Sequence, residues 1–413
     1  VSTPPATTGT ARSARILIIS PWETVWSLGG QGDVRAGVSD DDRFIDAFTR
    51  AGYELHFLRP RASRSDERVT THTYPNFFRP TRSLPTWLRR PLWPLLFNAL
   101  VTPRALAYAR RARPALVLGH SHYSTAAAWW CGKQLHLPTA VKLFGVMDLV
   151  HTEWPPLRYW FKNVEQILAL RYPQDAWIVL DDGTRGDRAV IACGVPSERV
   201  HFLPNGLNTE WLERSPGPAD RATARERFGL PADGNVVLFV ARLVAVKRAT
   251  DAIRAVKDLD AVLVIAGDGP ERGACEQMAK SLGIEARVRF LGAVAHDDIP
   301  VLMDASDVFV STGSTTNRAL PTCEAMLCGV PVVVYDTGDT TTVVQDGKTG
   351  RVVADGDVAA LARSLADLLA DAGERARLSA GARDLARDVF VSWEQRLARE
   401  MALIQSLIAK QPH

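Results

Sequence analysis

The chain has 413 residues and a mass of 45.3 kDa, with 46% hydrophobic and 23% charged residues. This is the balance of a globular protein of about two domains; it excludes a largely disordered chain, a collagen-like repeat and a disulfide miniprotein. Basic (49) and acidic (46) groups nearly cancel, but residues 1–215 carry a net +7 and residues 216–413 a net −4.

Residues 1–13 read as a polar tail without the apolar core of a secretion signal. The first element is the apolar run Ile16 to Ile19, a buried strand. A glycine-rich loop follows (SPWETVWSLGGQGDVRAG). Next comes the amphipathic stretch DDRFIDAFTRAG, with Asp41 or Asp42 placed to cap it and Gly52 to stop it, and then the strand YELHFL. Strand, glycine loop, helix and strand form a βαβ unit, which implies a parallel sheet with helices on both faces. ALVLGH, TAVKLF, AWIVL and VHFLP extend that sheet. Proline, glycine and polar residues cluster at 215–222 (SPGPADRA), where the boundary is expected. The pattern then restarts with the strands NVVLFVARL, AVLVIAGDG, RVRFLG, VFVST and PVVVYD, separated by helices. The final stretch, SWEQRLAREMALIQSLI, has apolar residues at helical spacing.

Between Glu67 and Asp148 there is no carboxylate, while this window of 80 residues holds 11 basic groups, with Trp87, Trp93 and Phe97 among the arginines. A basic, aromatic stretch suits an anionic lipid surface or a phosphorylated substrate. Peripheral membrane contact is therefore expected through 79–113; no nucleic-acid recognition motif accompanies the charge. The longest apolar run, Leu92 to Val101, is broken by Pro94 and is well short of the ~20 residues of a membrane span. The five cysteines (Cys131, Cys193, Cys275, Cys323, Cys328) include no C-x-x-C pair and read as reduced thiols of a cytoplasmic protein, docked at the inner face if it meets a membrane.

Two doubly wound halves facing across a cleft put a ligand beyond the carboxyl ends of the strands. Arg242 and Lys247 follow the strand NVVLFVA and precede a helix. Two cations at a strand end, beside backbone N–H groups, suit a diphosphate, although surface residues read the same way by themselves. AGDGP (266–270) is a tight glycine turn. In STGSTTNRALPTCEAMLCGVP (311–331), Glu324 stands on a helix behind a loop of small polar residues. Its carboxylate could grip the two hydroxyls of a ribose, or be an ordinary helix-surface glutamate.

In this order the pieces resemble the retaining GT-B glycosyltransferases, specifically the large family-4 group. The resemblance rests on Pro204, Asn205 and Gly206, on ARLVAVK with Arg242 and Lys247, and on AGDGP, VRFLG, DVFVST, EAMLCGVPVVV and DGKTGRVV (346–353). It implies an α/β GT-B fold of two Rossmann-like domains. The first is an acceptor domain at 14–215 and the second a donor domain at 216–390. A closing helix at 391–413, beginning near Trp393, returns to the first.

The resemblance implies a retaining transfer of sugar from a nucleotide-diphosphate donor to a hydroxyl acceptor. Arg242 and Lys247 would neutralise the leaving diphosphate, Glu324 would bind the ribose, and Phe290 and Leu291 would lie against the base. Gly29 and Gly30 would let bare backbone approach the donor. His122 would face the sugar, with its neighbour His120 as a competing assignment on the same side of an extended segment; Asp148 lies near an acceptor-facing position. The family's first glutamate is replaced by Thr316, so that Thr316, Asn317, Arg318, Ala319 and Leu320 form the loop toward the sugar. Arg318 adds a cation where the family is small or apolar, which favours an altered donor carrying a negative group or a deoxy position. No cofactor or metal is implied beyond the nucleotide sugar, a UDP-sugar being favoured over a GDP-sugar. The acceptor is left open, anionic and lipid-linked hydroxyls included. An NDP-sugar epimerase or a phosphorylase on this scaffold, or a weakly catalytic sugar-nucleotide binder, are the rival readings.

Overall fold

A computed structural model describes residues 14–21, 40–60, 67–76, 83–146, 149, 155–181, 183–316 and 318–410, apart from the side chains of 40, 41, 86, 87 and 89–91. Among the described residues the strands form two parallel sheets. The first runs β3 (Val69–Thr73), β2 (Glu54–Arg59), β1 (Arg15–Ile19), β4 (Leu116–His120), β5 (Thr139–Leu143), β6 (Ala176–Asp181), β7 (Val200–Pro204). The second runs β10 (Val288–Gly292), β9 (Ala261–Ala266), β8 (Asn235–Val240), β11 (Val308–Ser311), β12 (Val332–Tyr335), β13 (Arg351–Val353). In each sheet the order reverses once, between β1 and β4 and between β8 and β11. Such a switch point opens a crevice beyond the strand ends.

The alternation of side chains along each strand divides the core into two layers per sheet. In the first sheet Leu17, Ile19, Val117 and Val141 pack under α2 (Thr86–Ala112), α3 (Thr125–Leu135) and α4 (Pro156–Ala169). Ile16, Ile18, Leu118 and Ile178 face α1 (Asp40–Arg50) and α13 (Trp393–Ala409) through Phe44, Phe48, Ile404 and Leu407. The terminal helix thus completes the first domain's core. After α5 (Gly186–Ala192) and α6 (Pro218–Arg227), the second sheet is covered on one face by α9 (Ile299–Asp304), α10 (Leu320–Cys328) and α12 (Ala372–Val389), and on the other by α7 (Ala249–Ala255), α8 (Arg272–Ser281) and α11 (Val358–Ala370).

Two motifs of the sequence meet where the chain crosses back. The Trp393 ring lies on Gly206 so closely that a Cβ there would stand 2.5 Å from Cδ2. The Leu207 N–H donates to the Val391 carbonyl at 2.9 Å. Just beyond, α13 is pinned by charge: Glu400 forms ion pairs with Arg396 at 2.8 Å and with Lys142 of β5 at 3.3 Å, and all three side chains are buried. The Lys142 ammonium also lies 5.2 Å from the ring centres of Phe44 and Phe144.

Candidate active site at the facing strand ends

The second domain assembles its loops at the β8/β11 switch point by backbone hydrogen bonds. Leaving β8, the Leu243 N–H donates to the Asp268 carbonyl (2.9 Å), and its own carbonyl accepts from Glu271 (3.0 Å), so the Arg242 segment is stitched to the AGDGP turn. Gly267, at φ +148°, has no room for a Cβ, which would overlap the Ala241 carbonyl oxygen. The glycine turn is therefore a close-approach device that sets the loop bearing Arg242. The Thr312 hydroxyl donates to the Lys247 and Arg248 carbonyls, each at 2.9 Å, and the Ser314 N–H to Val246 at 2.9 Å. The Lys247 turn is thereby fixed to the loop leaving β11. Arg242 is exposed and Lys247 half-buried, both on the segment that leaves β8 beside the switch point.

Phe290 and Leu291 lie on edge strand β10, where the register with β9 shifts before Gly292, whose carbonyl accepts from Gly267 at 2.7 Å. Glu324 is buried on α10, and its carboxylate meets His296 Nε2 at 2.9 Å. This hydrogen bond raises the His296 pKa above its ordinary value, and the ring also rests on Trp211, centroids 5.3 Å apart. His296 opens the stretch HDDIPVLMDAS, which by its pattern reads only as a helix and gives no sign that its first residue is the partner of Glu324.

The first domain reaches the same crevice from β6. Gly183 accepts from the Asp339 N–H at 2.9 Å and lies against Thr316, which is buried and whose hydroxyl accepts from the Arg318 N–H at 3.1 Å. Arg318 reaches across to Asp181 at 2.7 Å, and Arg185 stands 3.7 Å from Asp339. The Arg318 cation is therefore already engaged by a nearly buried carboxylate, which weakens the case for a negative group on the donor. Asp181 and Gly183 were missed: they lie more than 130 residues before their partners, and only the strand end at AWIVL hinted at their position. Arg318, Leu320 and Asp181 line a crevice with Asn205 and Phe390, while a larger recess of about 510 Å³ lies at the crossover around Arg43, Asn208 and Trp393.

The two histidines do not share a side, contrary to the extended reading. Ser121 between them has φ +73°, an uncommon conformation for a non-glycine residue, and the chain turns there. His120 is buried against Phe144 and Phe44. His122 instead stacks on Tyr123, centroids 4.1 Å apart, at the mouth of β4. Burial of its ring holds its pKa down to about 4, so the imidazole is neutral near pH 7, and Nε2 has no hydrogen-bond partner among the described residues. Gly29, Gly30, Asp148 and Asn317 lie outside the described residues. Within 79–113, Phe97 is fully buried and Trp93 packs on the core, so these two aromatics are structural rather than membrane-facing, while the Trp87 side chain lies outside the described residues. Among the described residues no helix is long and apolar enough to cross a membrane.

Two doubly wound parallel sheets, each reversing its strand order once and meeting at their strand ends, define a GT-B architecture. Comparison with known proteins agrees. Residues 220–385 match the glycosyl transferases group 1 family and residues 42–211 match glycosyltransferase family 4. The chain is 30% identical over 315 residues to the D-inositol 3-phosphate glycosyltransferase of Salinispora arenicola, covering 71% of this chain and 69% of that one. It is 35% identical over 221 residues to a GDP-mannose-dependent alpha-(1-6)-phosphatidylinositol monomannoside mannosyltransferase of Mycolicibacterium smegmatis, covering 51% and 57%. A second inositol phosphate glycosyltransferase, from Salinispora tropica, is 37% identical over 70% of this chain and 64% of its own; the chain thus spans under two thirds of some of these relatives. The fold matches HepE of Anabaena, solved with UDP and glucose, at a TM-score of 0.70 and 21% identity over 95% of this chain and 100% of that one. The chain belongs to the group 1 glycosyltransferases of GT-B type.

Proposed function

We propose that the protein transfers a sugar from a nucleoside diphosphate sugar to a hydroxyl acceptor with retention of anomeric configuration. The carrying observation is the placement of Arg242 and Lys247 at the strand-order switch of the second sheet, each held by backbone bonds to a neighbouring loop. Charge building on the departing diphosphate would meet cations whose positions are already set, so little reorganisation is needed as the bond breaks. Glu324, oriented by His296, would take the ribose hydroxyls. Thr316 and the loop through Arg318 would face the sugar from one side and neutral His122, which can donate or accept, from the other. The departing phosphate would take the acceptor's proton on the same face, leaving no need for a separate protein base.

In this reading 216–390 is the donor unit, 14–215 the acceptor unit and 391–413 the return. The acceptor is an anionic or lipid-linked hydroxyl met at the cytoplasmic face of a membrane, in keeping with the phosphoinositol chemistry in the names of the relatives. The donor is a UDP-sugar, in keeping with the UDP held by the Anabaena neighbour, and no metal is required. The test is a donor panel of UDP- and GDP-sugars against inositol phosphate and phosphatidylinositol acceptors, with the product anomer read by NMR. A product of inverted configuration, or turnover abolished by EDTA, would overturn the corresponding part. Donor consumption without any glycosylated product would overturn the whole.

A further inference from the structure

Helix α4 carries two apolar stripes, and only one is buried. Tyr159, Ile167 and Leu170 face the core of the first domain. At about 100° per residue, Leu157, Trp160, Phe161, Val164 and Leu168 fall within an arc of about 100° on another face. That face is turned to solvent: Leu157 and Phe161 are each 72% exposed, Leu168 54% and Trp160 51%. It continues beyond the helix, where Tyr172 touches Trp129 (centroids 5.6 Å) and Trp129 touches the exposed Trp130 of α3. Scattered exposed leucines are ordinary, but a contiguous surface of this many large apolar and aromatic side chains marks an interaction site.

We propose that this face of α4, extended by Trp129, Trp130 and Tyr172, docks the protein on an anionic lipid bilayer. The chemistry of its border selects the occupant. Arg158 and Lys162 are exposed beside the stripe, Arg171 follows it, and Lys133 lies over the Trp129 ring at 4.9 Å. The helix's one carboxylate, Glu165, is directed to the Tyr123 hydroxyl at 3.4 Å. Large apolar and aromatic side chains rimmed by cations are the composition of a helix lying in a lipid headgroup region, whereas lysine is depleted from protein interfaces. The helix, 14 residues and about 21 Å long, can lie flat along a bilayer surface on this face. Through Tyr123 and the contact of α4 with the turn bearing His122, a docked α4 would set the cleft mouth beside the membrane. The inference stands independently of the transferase reading, since binding to lipid needs no turnover.

The experiment is sedimentation with vesicles of phosphatidylcholine alone and of phosphatidylcholine with 30–40% (roughly) phosphatidylglycerol, at low and high salt. The full chain should pellet with the anionic vesicles, at least about tenfold more strongly than with the neutral ones, and blue-shift its tryptophan emission. Leu157→Gln/Trp160→Gln/Phe161→Gln should lose about tenfold or more in vesicle binding, while keeping the circular dichroism melt of the wild type because the three side chains are exposed. Arg158→Gln/Lys162→Gln should lose the preference for anionic vesicles and its salt sensitivity. The proposal is overturned if wild type fails to pellet, if the triple variant pellets undiminished, or if the triple variant converts a wild-type dimer to a monomer without changing vesicle binding.

Discussion

The two domains solve the same topology but turn their large apolar side chains differently. In the second, the buried strands are mostly apolar, the charged Arg225, Asp251, Asp304 and Glu324 are buried around them, and Arg242 and Lys247, the cations proposed to hold the donor, stand on loops cross-linked by backbone hydrogen bonds. In the first, the buried ions Lys142, Arg396 and Glu400 lie between sheet and terminal helix. Large apolar side chains are turned out, and nine of the eleven exposed ones among the described residues fall between Leu88 and Ile191. Under the proposed function one unit holds a small anionic ligand on its loops, while the other locks a returning helix inside and turns large apolar side chains outward.

Changes that touch only one of these devices should dissociate stability from chemistry. The largest stability loss is expected from Glu400→Gln, which leaves Lys142 and Arg396 buried without their carboxylate. Breaking such a group costs about 3–5 kcal/mol, read by denaturant titration, with nucleotide affinity unchanged if the two units are as separate as described. Arg242→Ala should do the reverse, raising the barrier by ~2–4 kcal/mol, about 30- to 1000-fold in turnover, with the denaturation midpoint nearly unmoved because the side chain is exposed. Near-wild-type turnover would remove Arg242 from its assigned role.

Asp181→Asn spans the units. It breaks the ion pair to Arg318 across the crevice and should cost about 1–3 kcal/mol. If the pair closes the cleft, the loss should show as a rise in donor KM greater than any fall in melting temperature would explain. The smallest effect concerns pH. The Glu324 hydrogen bond raises the His296 pKa above the unfolded value of about 6.5. The pair's stabilisation is therefore fully present below that pH and is lost as pH rises through the higher folded value. The contribution should be under about 1 kcal/mol, since the ring is partly exposed, and His296→Gln should flatten that slope of stability against pH.

The second domain was the more legible because its strands are short apolar runs and its loops carry local motifs. AGDGP and ARLVAVK announce the crevice within thirty residues of each other. The first hid its elements. α2 runs through Pro91, Pro94 and Pro103, which read as helix breakers, and β3 is the polar edge strand VTTHT. HSH appeared extended because nothing local signals the turn at Ser121. The contacts that decide the site's edges, Asp181 with Arg318 and Glu324 with His296, join segments far apart in sequence, where periodicity and spacing carry no information.

The most direct test of the assigned donor site is calorimetric titration of UDP and GDP into wild type and Arg242→Ala/Lys247→Ala. Wild type should bind one nucleoside diphosphate saturably, with UDP preferred, and the double variant should lose at least about 30-fold in affinity, the ~2 kcal/mol expected for two fixed charges on a diphosphate. Undiminished binding by the double variant would contradict the account.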